Sequence, residues 1–167
     1  MNIKWRNDYS QSGKLILTHV DGRVIELLVD EGDKPLLKKY QWLWSVSDTD
    51  GTKGYAYTTD TISKRQRPLH QYLNPAWKLT DHINRDTKDN RRCNLRSCTK
   101  QQNSINRSKS RQNSSGIIGV GWDKTFKRWI ASWTENGKLK FRNFKSKTDA
   151  ETFRQQKAKE VYGQFAP

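Results

Sequence analysis

Residues 67–107 read RPLHQYLNPAWKLTDHINRDTKDNRRCNLRSCTKQQNSINR, and this stretch restricts the fold more than any other. It holds Asp81-His82, then Asn94-Leu95-Arg96, then Asn103, so the two asparagines follow His82 by 12 and 21 residues. Residues 68–73 and 79–83 read as strands, the Asn-, Asp- and Lys-rich stretch after them as a turn-rich loop, and a helix is expected to begin near Thr99. On that helix Asn103 and Asn106, three apart, share a face. Each polar residue alone is an ordinary surface or turn residue, and only their combination at these offsets carries information.

The pattern DHIN…DNRR.NLR..T..QN..N resembles the HNH nuclease motif across about forty residues. The resemblance implies a two-stranded ribbon and a helix closed around one metal ion, and a metal-dependent DNA endonuclease leaving 5′-phosphate and 3′-hydroxyl ends. Such chemistry needs a cation at the scissile phosphate, a base for the attacking water and a rigid loop holding both. Asp81 and Asn103, as matching residues, are hard oxygen donors that suit one Mg²⁺ or Mn²⁺ per site rather than a thiolate-loving metal. His82, next to Asp81 in the strand and pointing to its opposite side, is the expected general base. Asn94 is expected to brace the loop and the base. Arg85, Lys88, Arg91, Arg92 and Arg96 are expected to grip phosphates beside the cut, with an internal brace as the alternative for Arg96. His70 is read as a structural histidine in preference to a catalytic one.

Charge fixes the partner class. The chain of 167 residues has 32 Lys+Arg against 17 Asp+Glu, a net +15. Residues 1–60 contribute 8 − 9 = −1 and residues 61–167 contribute 24 − 8 = +16. A polyanion is therefore the expected partner of the C-terminal two thirds; RNA-binding proteins carry such charge too, and it is the HNH resemblance that implies double-stranded DNA. No small-molecule cofactor is expected, and no membrane partner either, since no apolar run of membrane-spanning length occurs. Cys93 and Cys98 are expected as free thiols in reducing cytoplasm, the host's cytoplasm for a phage-encoded chain.

The N-terminal segment reads as β-rich. KLILTHV (14–20) and RVIELLV (23–29) flank Asp21-Gly22 and predict a hairpin. Asp33 as cap and Pro35 in the first turn predict a short helix, which accounts for the acidic residues ahead of it without a second cation. Trp42 and Trp44, with Tyr55 and Tyr57, predict a second hairpin around Asp50-Gly51 whose aromatic face is buried. The stretch GRVIELLVDEGDKPLLKKYQW also resembles the leader of many phage-encoded HNH proteins.

SKSRQNSS (108–115) reads as a basic linker, and Arg107, Lys109 and Arg111 are expected to touch DNA. From Gly116 onward three strands and a helix are predicted. Val120 and Trp122, then Trp129, Ala131 and Trp133, then Leu139, Phe141 and Phe144 are the expected apolar faces, with Asn136-Gly137 as the turn. Ser146 is the expected helix cap, Ala150, Phe153, Ala158 and Val161 the helix face, and Gly163 its end. This text resembles the Apetala-two DNA-binding domain of plant ethylene-response factors and phage nucleases, in which the free face of the sheet enters the major groove. Carried over, Lys124, Arg128, Lys138 and Lys140 face outward with Ile130 and Ser132, and Arg142, standing where that family has glycine, is a further DNA contact.

The expectation is thus an α+β chain. Residues 1–66 form a β-rich segment packed on the nuclease motif, 67–107 the ββα-metal finger, 108–115 a linker, and 116–167 a three-stranded antiparallel sheet packed on one helix. The leading function is a phage homing-type endonuclease. Its rivals are a DNA-binding regulator with an inert finger, and a restriction or packaging nuclease.

Overall fold

The structure is a computed structural model that describes residues 4–10, 12–47, 53–60, 63–106, 113 and 115–166. It is a mixed α+β protein of small antiparallel sheets with few helices. The chain divides into two compact units, Met1–Thr99 and Lys100–Pro167.

In the first unit β1 (Trp5–Ser10), β2 (Lys14–His19) and β3 (Val24–Leu28) form one antiparallel sheet in that order. The β2–β3 register sets Leu15 opposite Leu27 and Leu17 opposite Ile25, which puts the alternating apolar residues on one face. Leu15, Leu17 and Leu27 are completely buried. Gly22 turns this hairpin at φ 89°, a conformation open to glycine at no steric cost.

Helix α1 (Lys34–Leu37) follows, with Pro35 in its first turn. Asp33 precedes it, yet its carboxylate makes no capping bond; it is drawn elsewhere, as shown below. Trp42 is wholly buried, its indole N–H donating to the Leu37 carbonyl at 2.9 Å. Strands β4 (Leu43–Val46), β5 (Gly54–Thr59) and β6 (Gln66–Pro68) make a second sheet. The expected turn at Asp50-Gly51 lies outside the described residues.

The buried face of β5 is not the expected aromatic one. Gly54, Ala56 and Thr58 point inward, and Tyr55 and Tyr57 point the other way. Space decides this: a Cβ on Gly54 would sit 2.8 Å from the ring of Trp44, so no larger residue fits at that position. Residues 68–73, expected as a strand, become helix α2 (Leu69–Leu73) directly after β6. Leu69 and Leu73, four apart on this helix, lie on one face of it and enter the core. The core runs from Trp5 through the first two sheets to Leu95.

A two-stranded ribbon, β7 (Thr80–His82) and β8 (Leu95–Ser97), completes this unit. Helix α3 (Lys100–Ile105) follows in sequence and belongs to the second unit.

In the second unit β9 (Val120–Asp123), β10 (Arg128–Glu135) and β11 (Lys138–Phe144) form a sheet with β10 in the centre, and helix α4 (Lys147–Tyr162) packs on it. Ser146 caps α4, its hydroxyl accepting from the Asp149 N–H at 3.4 Å, and Gly163 ends it at φ 53°. Val120, Ala131 and Ala150 are the buried centre, flanked by Trp129, Phe144 and Phe153.

One strand face is inverted relative to the sequence reading. Asn136 and Gly137 both have positive φ (52° and 74°), the geometry of the tightest hairpin turn. That turn sets Glu135 opposite Lys138, Trp133 opposite Lys140 and Ala131 opposite Arg142. Lys138, Lys140 and Arg142 therefore share the helix-side face, at its edge, and the outer face of β11 carries Leu139, Phe141 and Asn143. Leu139 and Phe141, expected inside, are 72% and 65% exposed.

Candidate active site

The ribbon register places Asp81 opposite Arg96 and His82 opposite Leu95. Because directly paired residues of an antiparallel ribbon share a face, Arg96 reaches Asp81: its Nε and a terminal nitrogen lie 2.8 and 2.6 Å from Oδ2. Both partners are nearly sealed from water. Arg96 is thus paired with Asp81 inside the ribbon, the arrangement of the internal-brace alternative.

His82, on the other face of β7, is also buried. Its Nε2 lies 3.3 Å from Oδ1 of Asn90. Burial pushes its pKa below 6.5 despite the hydrogen bond to Asn90 and the nearby Asp81, Asp86 and Asp89, which act in the opposite direction. Two rings pack beside it. His70 on α2 lies 5.0 Å from His82 between centroids, and Tyr55 on β5 lies 5.5 Å from His70 and 6.3 Å from His82. Burial, and next the neighbouring His82, lower the pKa of His70 to about 3, so it is a neutral ring. Neither Tyr55 nor Asn90 was legible as a site residue. The signal for Tyr55 was the smallness of Gly54, Ala56 and Thr58, which assigns the tyrosines to the opposite face.

The loop between β7 and β8 is held from inside and from behind. Asn94 holds it from inside: Oδ1 accepts from the Asn84 N–H at 2.9 Å, and Nδ2 donates to Asn84 Oδ1 and the Asp89 carbonyl at 2.9 and 2.8 Å. From behind, the Leu28 N–H donates to the Lys88 carbonyl and the Asn90 N–H to the Leu28 carbonyl, at 2.9 and 2.8 Å. Asp30 accepts from the Arg92 N–H at 2.8 Å, and Asp33 takes the Arg92 guanidinium with both oxygens, at 2.7 and 3.1 Å. Two of the acidic residues ahead of α1, Asp30 and Asp33, are thus tied to this loop, and Glu31 pairs with Lys34.

The other expected DNA contacts are distributed as follows. Arg91 forks onto the buried Asp89 at 2.8 and 2.7 Å, and Arg91 in turn holds that carboxyl below its ordinary pKa. Lys88 lies over the Trp44 ring at 5.9 Å, and Arg85 is exposed at φ 67°. Arg107, Lys109 and Arg111 lie outside the described residues. Lys124 is exposed after β9, and Arg128 lies over the Phe126 ring at 4.5 Å. Lys138 is exposed, Lys140 pairs with Glu135, and Arg142 stacks on Phe144 and Phe153 at 5.5 and 5.0 Å. Asn103 is exposed on α3.

Residues 75–105 match the family model described as HNH endonuclease. An uncharacterized HNH endonuclease of Acanthamoeba polyphaga mimivirus is 30% identical over 141 residues, covering 79% of this chain and 68% of that relative. The chain belongs to the HNH endonuclease family. It is accordingly a nuclease, a hydrolase. No solved structure matches it.

HNH nucleases generally use a divalent metal. Among the described residues no three His, Cys, Asp or Glu side chains converge as a metal cluster. The chemistry of the expected donors fits a hard cation. Asp81 is a buried carboxylate, and the nearest sulfur candidate, the buried Cys98, has its thiol pKa raised by burial and by Asp81, which keeps it protonated.

Proposed function

We propose that this HNH endonuclease is a metal-dependent DNA nuclease of the site-directed, homing type, with His82 as the general base and the C-terminal unit as its DNA-delivery module. The observation that carries the reading is the adjacency of two buried groups on β7: Asp81, braced by Arg96, and His82, held by Asn90 and two rings. Buried ionisable residues kept in fixed orientation by dedicated partners are the arrangement catalysis requires. Asp81, and Asn103 by resemblance, would hold a Mg²⁺ or Mn²⁺ ion, which when bound stabilises charge on the transferring phosphate and the leaving oxygen. His82, neutral at pH 7 because burial lowers its pKa, is able to accept a proton from water. Asn94 and the Leu28 backbone keep its loop in place.

Delivery rests on charge and on the resemblance to Apetala-two domains. Residues 61–167 carry +16, and Lys124 and Arg128 on the second unit, together with Arg85, Arg107, Lys109 and Arg111, supply phosphate anchors. Lys138 extends this set from the sheet edge. The proposed setting is the cytoplasm of a phage-infected host, in keeping with the free thiols of Cys93 and Cys98.

The test is supercoiled plasmid and native-genome DNA incubated with purified protein in Mg²⁺ and in EDTA. Metal-dependent nicked circle is the expected product, because one site per chain cuts one strand at a time. His82→Ala is expected to lower turnover roughly 10²–10⁴-fold with duplex affinity retained. DNA retardation without cutting of either substrate in Mg²⁺ would contradict the reading.

A further inference from the structure

Arg154 on α4 is only 4% exposed, and among the described residues its Nε has no hydrogen-bond partner. Of the nearby carboxylates, Glu151 pairs with Lys147, Glu160 with Lys157 and Glu135 on β10 with Lys140, while Asp149 is exposed in the first turn of α4. The Tyr162 ring, 5.5 Å away, offers its π-face and no charge. Burial lowers the pKa of this guanidinium, but an arginine starts from so high a value that it stays charged at neutral pH. A cation removed from water without a counter-charge is among the costliest arrangements in a fold.

The surroundings are shaped around it. Gly119, at φ +85°, approaches so closely that a Cβ there would lie 2.5 Å from Arg154 Nε and 2.5 Å from the Ser132 carbonyl. Beside the guanidinium lies a cavity of about 720 Å³, lined by Arg154, Ser132, Thr134, Tyr162, Gln101 and Gln102 among others. Tyr162 Oη accepts from the Thr134 N–H at 2.8 Å, so its own proton is available to donate. The cavity also touches Glu135 and Glu160, whose charges Lys140 and Lys157 offset at 2.5 and 2.8 Å.

We propose that this cavity of the C-terminal unit is an oxyanion site in which the Arg154 fork receives two oxygens of a phosphate group. The fork geometry of guanidinium matches two phosphate oxygens, the volume exceeds what a halide fills, and the +16 of residues 61–167 attracts phosphate-bearing ligands. The same chemistry is offered by a backbone phosphate of DNA and by a free phosphate monoester.

The experiment is thermal unfolding of the full chain in inorganic phosphate and in chloride at equal ionic strength, for the wild type and Arg154→Met. Phosphate at about ten times its Kd is expected to raise the wild-type Tm by roughly 3–6 °C over chloride. Arg154→Met is expected to lose that rise and to melt no lower than wild type in chloride, since it removes an uncompensated buried charge. Arg154→Lys, which keeps the charge without the fork, is expected to bind phosphate about tenfold more weakly, and it serves if the methionine variant does not fold. Duplex titration separates the sources. A backbone phosphate predicts that Arg154→Met weakens duplex binding about tenfold and that free phosphate competes; a free monoester predicts unchanged duplex affinity with the Tm response intact. The proposal is overturned if phosphate gives no rise beyond chloride, or if Arg154→Met melts well below wild type in chloride, which would make Arg154 a packing residue stacked on Tyr162. None of these readouts uses cleavage, so they stand apart from the nuclease reading.

Discussion

His82 Nε2 lies 3.3 Å from Asn90 Oδ1, and the rest of the Asn90 amide determines which atom donates. Asn90 Nδ2 faces the carbonyls of Thr87 and Lys88 at 3.2 and 3.4 Å, so the amide cannot be turned round without setting oxygen against oxygen. Oδ1 is therefore the acceptor, Nε2 carries the proton, and Nδ1 is the basic nitrogen of the neutral ring.

The first prediction follows from that tautomer. Asn90→Leu keeps the approximate volume and removes the acceptor. It is expected to lower kcat by roughly 10–100-fold, the range typical of a lost orienting partner, with little change in KM. Long-range ¹H–¹⁵N spectra of the His82 ring should show the Nε2–H form in wild type and a mixture in the variant. A wild-type ring protonated at Nδ1 would remove the basis of this assignment.

Arg96 and Asp81 give a prediction about stability and metal together. Removing one partner of a buried pair leaves the other charge uncompensated, at a cost of about 3–5 kcal/mol. Arg96→Met should show that loss in urea titration. Added Mg²⁺ should recover more stability in this variant than in wild type, because the Asp81 carboxylate is then left without its guanidinium. Equal recovery in both proteins would argue against Asp81 as a cation ligand.

Asp33 and Arg92 join the segment before α1 to the site loop, and Asp33→Asn tests that link. Asp33 is buried but Arg92 is half exposed, so solvent screening limits the loss to about 1 kcal/mol. The larger expected effect is on the loop, seen as faster amide hydrogen exchange at Arg92 and Asn94 and a several-fold lower cleavage rate. A variant that cuts at the wild-type rate with unchanged exchange would show that the loop keeps its shape without this clamp.

These residues also show why part of the structure was readable and part was not. The β2–β3 hairpin and the Ser146 and Gly163 helix ends follow from local rules that act over a few residues, and they appear where the sequence indicates. Arg92 meeting Asp33, 59 residues away, and Tyr55 meeting His82 depend on packing between distant elements, which no local pattern encodes. The failure at β11 is of another kind. The Asn136-Gly137 turn is local and readable, and its two-residue register fixes which of Leu139 and Lys140 faces the helix, against the apolar pattern of the strand. The burial of Arg154 has no local signal, because a charged residue in an amphipathic helix ordinarily marks the solvent side.

His70 supplies the pH prediction. Its pKa falls from 6.5 to about 3 in the folded protein, first through burial and then through His82. Between those values the unfolded chain takes up a proton that the folded protein refuses, so more protons are bound in the unfolded state and stability rises with pH. The contribution is complete above pH 6.5, declines as pH falls below it, and stops declining near pH 3. Within that window the slope approaches about 1.4 kcal/mol per pH unit for one such group. His82, whose pKa is also lowered by burial, adds to the slope in the same direction. His70→Phe retains a ring against Tyr55 and His82 while removing the titration. Urea unfolding at pH 7.5, 6 and 5 should show the wild type losing stability more steeply than the variant, with the residual slope of His70→Phe shared by His82. Parallel losses in the two proteins would mean that His70 takes up its proton in the folded state, and hence that water reaches the space between α2 and β7.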